Sequence, residues 1–209
     1  NDAPDVFPLG ETIVTWTVTD QSGNMSNEIQ NVSVVDTTKP NLEVPNDVEI
    51  EASGIETVID DLGDSIAEDK IGISSITNDA PEFFPLGETI VTWTATDTSG
   101  NSVSDTQLVS VVDTTAPSIE TLENTVFEAS GLQDNIVELD MIIANDNVGV
   151  VSIINDAPET FEFGLTTVNW LVSDNTGNTA SIQQQVSLID TIAPSITLPN
   201  DVKIEAVSN

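Results

Sequence analysis

The chain contains no cysteine, no histidine and no tyrosine, and its only basic residues are Lys39, Lys70 and Lys203. Without cysteine, neither disulfides nor thiolate metal sites can form. Without histidine, the usual zinc ligand and the usual general base are both missing. Three cations against 36 acidic residues leave a formal net charge of −33. That excludes phosphate-dominated nucleic-acid binding and opposes anionic membrane surfaces, so the expected partners include neither nucleic acid nor a membrane to insert into. No apolar run reaches the length of a transmembrane helix and no signal peptide is visible. Self-repulsion on this scale keeps a chain soluble but resists compaction. High salt, divalent cations or both must offset it, which points to a saline or calcium-rich exterior.

What is present is a repeat. Asn-Asp-Ala-Pro stands at Asn1–Pro4, Asn78–Pro81 and Asn155–Pro158, an interval of 77 residues each time. Trp16, Trp93 and Trp170 keep the interval, as do Asp36, Asp113 and Asp190, and Glu51, Glu128 and Glu205. A period of this length is itself a module, so the chain is a stretch of a tandem array. Residues 42–118 and 119–195 read as complete modules, 1–41 as the C-terminal half of another, and 196–209 as the first strand of a further one. Such a chain is an excerpt of a longer array or a processed subunit. Alternatively, the incomplete ends of neighbouring copies complete each other by strand addition, although together they lack the stretch equivalent to residues 55–77.

Within a module the hydrophobic period is two, carried by Val, Ile and Thr. Leu42–Glu51 reads as a first strand with Pro45 at an edge or kink, Glu56–Asp61 as a second, and Ile71–Thr77 as a third after an acidic loop. Thr89–Asp97 is the clearest strand, with Val91, Trp93 and Ala95 on one face and Ile90, Thr92, Thr94 and Thr96 on the other. Asp97–Asn101 turns the chain into a last strand ending near Val112. Six or seven short strands in about 77 residues describe a small antiparallel β-sandwich, with the tryptophan as its core anchor.

Several motifs carry a family resemblance: Phe84-Pro-Leu-Gly87, Thr89–Asp97, Ser99-Gly-Asn101 and Val111–Pro117. They recur at Phe7–Gly10, Thr12–Asp20, Ser22–Asn24 and Val34–Pro40, and more loosely at Phe161–Gly164, Thr166–Asp174 and Gly177–Pro194. Jointly they resemble the hyalin repeat (HYR) family of immunoglobulin-like extracellular modules. The resemblance implies adhesion or a structural role rather than an enzymatic one. Many members carry a cysteine pair, and Ile71 and Val148 stand where one cysteine would be, so a metal ion is one substitute for the missing crosslink.

In an immunoglobulin-like sandwich Glu68, Asp69, Asp97 and Asn101 come together at one end of the middle module, beside the linker Asp36–Pro40. The next junction would hold Asp113, Asn145, Asp146, Asp174 and Asn178. Glu51 is expected at the base of the middle module near that junction, and Glu128 and Asp190 at the one after. Converging carboxylates and amide or carbonyl oxygens, without lysine or arginine, suit Ca²⁺, which takes six to eight oxygens in flexible geometry. The bland alternative is that Asp97 and Asn101 only shape a turn, Asp36 only caps the linker, and Glu68 and Asp69 are merely solvated. Functionally, the pattern points to a calcium-stiffened segment of a cell-surface filament, sheath or adhesin stalk, its partners being neighbouring copies or a homopolymer of them. A carbohydrate- or protein-binding adhesion module is the competing class, and it would need exposed aromatics such as a Phe83–Phe84 patch. Repetition of the carboxylates in every copy argues against catalysis. Asn24 and Asn31 stand in short Asn-x-Ser sequons.

Overall fold

A computed structural model describes residues 1–205. Every regular element among them is a β-strand, as the period-two pattern requires. The chain divides into two compact units, Asn1–Asp113 and Thr114–Asn209. The last four residues of the second, which end the segment read as a further first strand, lie outside the described residues.

Unit 1 opens with a hairpin of β1 (Gly10–Thr19) and β2 (Met25–Val34). Its remainder is a sandwich of β3 (Asn41–Glu43), β4 (Val48–Glu51), β5 (Glu56–Thr57), β6 (Ile66–Glu68), β7 (Ile73–Asn78), β8 (Phe84–Pro85), β9 (Gly87–Asp97) and β10 (Ser102–Val112). One layer is the four-stranded sheet β4-β10-β9-β7, and the other is made of two short ladders, β3-β6 and β5-β8. The expected first strand at 42–51 is thus two strands. β3 pairs antiparallel with β6; the chain breaks at Pro45, which cannot donate to a ladder, and crosses to the opposite sheet. There β4 runs parallel to β10, the one parallel pairing of the module.

Alternation on β9 buries Val91, Trp93, Ala95 and Asp97, all at 7 % exposure or less, against Phe84, Val109 and Val111. Glycine is required at Gly87, whose φ of 99° is a conformation side-chain-bearing residues avoid. The repeated Asn-Asp-Ala-Pro motif has a structural job. Asn78 Oδ1 accepts the Ala80 N–H at 3.1 Å, and Asp79 Oδ1 accepts the Thr92 N–H at 2.6 Å, clamping the connection onto the tryptophan strand. Asp2 and Asp156 clamp Thr15 and Asn169 at the same 2.6 Å.

Unit 2 repeats the plan with β11 (Ser118–Ile119), β12 (Thr125–Glu128), β13 (Ala144–Asn145), β14 (Val150–Asn155), β15 (Gly164–Asp174) and β16 (Thr179–Ile189). Its sheet is β12-β16-β15-β14, again with a parallel edge between β12 and β16. Ile142, Phe161, Val168, Trp170, Val172, Val186 and Leu188 form its core.

Trp16 stands at 50 % exposure, on a β1–β2 sheet with no opposing layer among the described residues. Residues 190–205 form no strand. The equivalent residues of the two units, β4 and β12, pair with the last strand of their own module.

Candidate metal centre

The turn after β9 is built by one carboxylate. Asp97 Oδ1 accepts the main-chain N–H of Ser99 at 2.8 Å and of Asn101 at 2.9 Å, and its Oδ2 accepts the Asn101 side-chain amide at 2.7 Å. Asp174 does the same for Thr176, Gly177 and Asn178, and Asp20 for Asn24. Turn formation is therefore real in all three hairpins.

Two further carboxylates meet that turn. A bulge between Ile73 and Ser75 at the start of β7 re-aims the preceding loop. Thr98 then ties the two loops together: its N–H donates to the Gly72 carbonyl at 3.0 Å and its hydroxyl to the Ile71 carbonyl at 3.3 Å. This brings Asp69 alongside, its Oδ1 capped by the Ile71 N–H at 2.7 Å. From the entering linker comes Asp36, whose Oδ1 caps Thr38 at 3.1 Å. One oxygen from each of Asp36, Asp69 and Asp97 lies within 4.8 Å of the others. The Asn101 amide bridges Asp97 and Asp36, donating also toward the Asp36 carbonyl at 3.2 Å and carboxylate at 3.4 Å. Asp97 is 1 % exposed. Burial works to raise its carboxyl, but the Asn101 side chain and the N–H groups of Asn101, Ser99 and Gly100 outweigh that and hold it below the ordinary 3.8.

In unit 2 Asn175, in the position of Thr98, donates to the Val148 carbonyl at 3.0 Å and sets the equivalent loops together. One oxygen of Asp146 lies within 4.8 Å of one of Asp174. Asp146 Oδ1 caps Val148 and Gly149 at 2.8 and 3.0 Å. Its Oδ2 is buried with no hydrogen-bond partner, an acceptor that lacks a positive neighbour. The Asp174 carboxyl, which burial pushes up, is likewise held low by Asn178 and Thr176. The donor set is all hard oxygen in a chain without histidine or cysteine, so it fits Ca²⁺ or Mg²⁺ and not a soft transition metal.

The remaining predicted residues fall elsewhere. Glu68 lines a groove with Asp36, Asp69, Lys39 and Lys70 without joining the triad. Asn145 belongs to the β11–β13 ladder, where its carbonyl accepts the Ser118 hydroxyl at 2.9 Å. Asp113 directly follows β10 and ends unit 1, and Glu51 ends β4. Glu128 receives the Thr191 N–H and hydroxyl at 2.7 and 2.8 Å, which hold its carboxyl below the ordinary 4.5, while Asp190 caps Ile192 at 3.0 Å. Phe84 is buried while Phe83 is 45 % exposed, so the Phe83–Phe84 pair is split between core and surface.

Sequence reasoning missed the polar heart of each sandwich. Gln107, fully buried, accepts the Trp93 indole N–H at 3.1 Å and donates to the Asn46 and Leu62 carbonyls at 2.7 and 2.9 Å. Gln30, Gln107 and Gln184 keep the same interval as the tryptophans, so the signal was there.

This is an extracellular, adhesion-type β-sandwich repeat. The chain belongs to the HYR domain family, which matches residues 35–111 and 112–188. It is 35 % identical over 216 residues to hyalin of Strongylocentrotus purpuratus, with 94 % of this chain covered, and 34 % identical over 219 residues to hyalin of Lytechinus variegatus, again with 94 % covered. The chain spans only 18 % and 40 % of the lengths of those relatives. Among solved structures, Drosophila N-cadherin EC1-4 aligns over 90 % of this chain and 60 % of its own, at 14 % identity and a TM-score of 0.38. Mouse clustered PcdhgC3 EC1-3 aligns over 87 % and 78 %, at 14 % identity and a TM-score of 0.37.

Proposed function

We propose that the chain is a structural segment of an extracellular filament, sheath or adhesin stalk whose modules are stiffened by Ca²⁺. The observation that carries this reading is the triad Asp36, Asp69 and Asp97, with one oxygen of each within 4.8 Å of the others. Because Asp36 lies on the linker and the other two on the loops after β6 and β9, an ion held by all three fixes the linker against the module. Asn101 stays with the Asp97 turn, and solvent completes the coordination. By the 77-residue repeat the reading extends to Asp146 and Asp174, with modules framed at 42–118 and 119–195 and partial ones at 1–41 and 196–209. Neighbouring repeats are then the main partners, and no catalytic step is assigned.

The test is a thermal melt with CaCl₂, MgCl₂ or NaCl, and with EDTA as control. A ligand that binds only the folded state stabilises by about 2.7 kcal/mol at a hundredfold excess over its Kd. For units of this size that is roughly a 10–20 °C rise in midpoint, expected with Ca²⁺ and much reduced when Asp36 and Asp69 are both changed to Asn. Equal shifts from Ca²⁺, Mg²⁺ and matched NaCl would reduce the effect to screening of the net charge and refute the metal reading.

A further inference from the structure

The outgoing chain of unit 2 passes the end of the parallel edge strand. The last pair of the β12–β16 ladder is Glu128 opposite Ile189, and the Ala129 N–H donates to the Ile189 carbonyl at 2.7 Å. The residues that follow are held as well. Glu128 Oε1 accepts the Thr191 N–H at 2.7 Å and its Oε2 accepts the Thr191 hydroxyl at 2.8 Å, while Asp190 Oδ1 accepts the Ile192 N–H at 3.0 Å. Ile192, Ala193 and Pro194 then line one groove with the Ala129–Leu132 turn and Phe163. The pieces keep the 77-residue interval: Glu51, Glu128 and Glu205 on one side, Thr37, Thr114 and Thr191 on the other. Unit 1 closes its own ladder in the same manner, with the Ala52 N–H donating to the Val112 carbonyl at 2.7 Å.

We propose that Glu128 is a positioning residue, a latch that sets the direction in which the chain leaves its module, and that it works without a metal ion. A single hydrogen bond would leave Thr191 a pivot. Two charge-assisted bonds to one carboxylate fix its peptide plane and its side chain together. Threonine suits the task because its N–H and its hydroxyl reach the two oxygens at once, which alanine or valine cannot do. Beyond the latch little freedom is left: Ile192 is capped by Asp190, and the ring of Pro194 sets its own φ. Glu128, expected from the sequence beside a junction cation, here has a role that needs none. The latch goes beyond the calcium reading and stands without it. The hold on the entering linker at Asp36 would vary with the cation supply, whereas the hold on the outgoing chain at Thr191 would not.

The experiment is amide hydrogen exchange on the whole chain, read by NMR together with the heteronuclear NOE of residues 190–194, in CaCl₂ and in EDTA. The Thr191 amide is expected to exchange at least ~10-fold more slowly than in an unstructured peptide of the same local sequence, equally in both media. Glu128→Ala should bring that rate to within about twofold of the peptide and lower the NOE at Thr191 and Ile192, while the core amides of Val168 and Val172 keep their protection. Thr191→Val, which keeps the N–H bond and loses the hydroxyl one, should fall between. Glu128→Gln should rescue part of the protection, since its carbonyl oxygen still accepts the N–H and its amide can donate to the threonine oxygen. Peptide-like exchange at Thr191 in the unaltered chain overturns the proposal, as does protection that survives Glu128→Ala. Protection that appears only with Ca²⁺ would return Glu128 to a cation site. An equal loss at Val168 would make it a general stability residue, and either result also refutes the latch.

Discussion

Replacing Gln107 by leucine should be among the most damaging single changes outside the apolar core. Its amide does three things at zero exposure: it accepts the Trp93 N–H at 3.1 Å and donates to two carbonyls, Asn46 and Leu62, at 2.7 and 2.9 Å. Leucine fills most of the volume but leaves one buried donor and two carbonyls short of a partner. Each such loss costs about 1–3 kcal/mol. Partial offset by the added apolar contact and by relaxation gives a net destabilisation of about 2–5 kcal/mol, against a typical domain stability of about 5–15 kcal/mol. The molecule supplies its own controls. Gln184 makes the same indole contact at 3.1 Å but reaches one carbonyl, Glu123, only at 3.4 Å, so Gln184→Leu should cost about 1–3 kcal/mol. Gln30 makes the indole contact at 2.9 Å on an exposed surface, and Gln30→Leu should fall within about 0.5 kcal/mol of zero. Labelling with 5-fluorotryptophan gives one ¹⁹F reporter per hairpin, so urea titration reads each site separately. The order Gln107, Gln184, Gln30 is the result expected. Equal costs at Gln107 and Gln30 would show that burial and the carbonyl contacts do not set the energy, and the argument would fail.

Further outcomes follow from the same geometry. Acid should remove the contribution of the turn carboxylates. Asp97 and Asp174 titrate below the ordinary 3.8 when folded, so their contribution is whole above that value and is lost as pH falls through the lowered one. Asp97→Asn should therefore flatten the pH dependence of the unit 1 melting midpoint below about pH 4, and an unchanged profile would contradict the turn electrostatics. Gly87→Ala, at a φ of 99° with nothing within 4 Å of a new Cβ, should cost about 1–2 kcal/mol through backbone strain alone, measured by urea denaturation; a neutral result would remove the strain argument. Asp79→Ala deletes the 2.6 Å clamp on Thr92 and should cost about 0.5–1.5 kcal/mol in the same assay. Substoichiometric Mn²⁺ should broaden the amide resonances of Ser99, Asn101, Ile71 and Thr38 before those of Ser22 and Asn24; the reverse order would speak against the triad.

Much of the sandwich could be read in the sequence because β9 and β10 are long and face core on one side only. Strict alternation of Val91, Trp93 and Ala95 with threonines leaves one register that buries the apolar set. The short strands were harder. Glu56–Thr57 and Phe84–Pro85 pair for two residues, too few for any period to show, and the crossing of the first strand between layers is a tertiary event that Pro45 marks without specifying. At the site, the link between Asp97 and Asn101 follows from local spacing. The approach of Asp69 depends on a β-bulge and on Thr98, neither of which has a distinctive sequence signature. Gln107 was overlooked for a different reason. Glutamine on a strand reads as a solvent-facing residue, and only the shared interval with tryptophan betrays that the two are partners across one hairpin.

The turn contacts separate turn chemistry from the proposed ion binding. The hairpin of β1 and β2 has the same Asp20–Asn24 turn, with contacts of 2.9 and 2.8 Å and an Asp20 carboxyl held low by the Asn24 side chain first. In both hairpins the donors to the turn carboxylate come from its own loop, so Asp36 and Asp69 are not what makes the turn. Setting two more negative charges within 4.8 Å of Asp97 in a chain of net charge −33 works against folding, and one amide from Asn101 offsets little of that. Under the proposed reading the missing term is a divalent cation, which turns mutual repulsion into shared attraction. On that reading acidity serves an extracellular array: a chain loose when its carboxylates repel, and stiff when an ion joins them, would take its mechanical state from the medium around it.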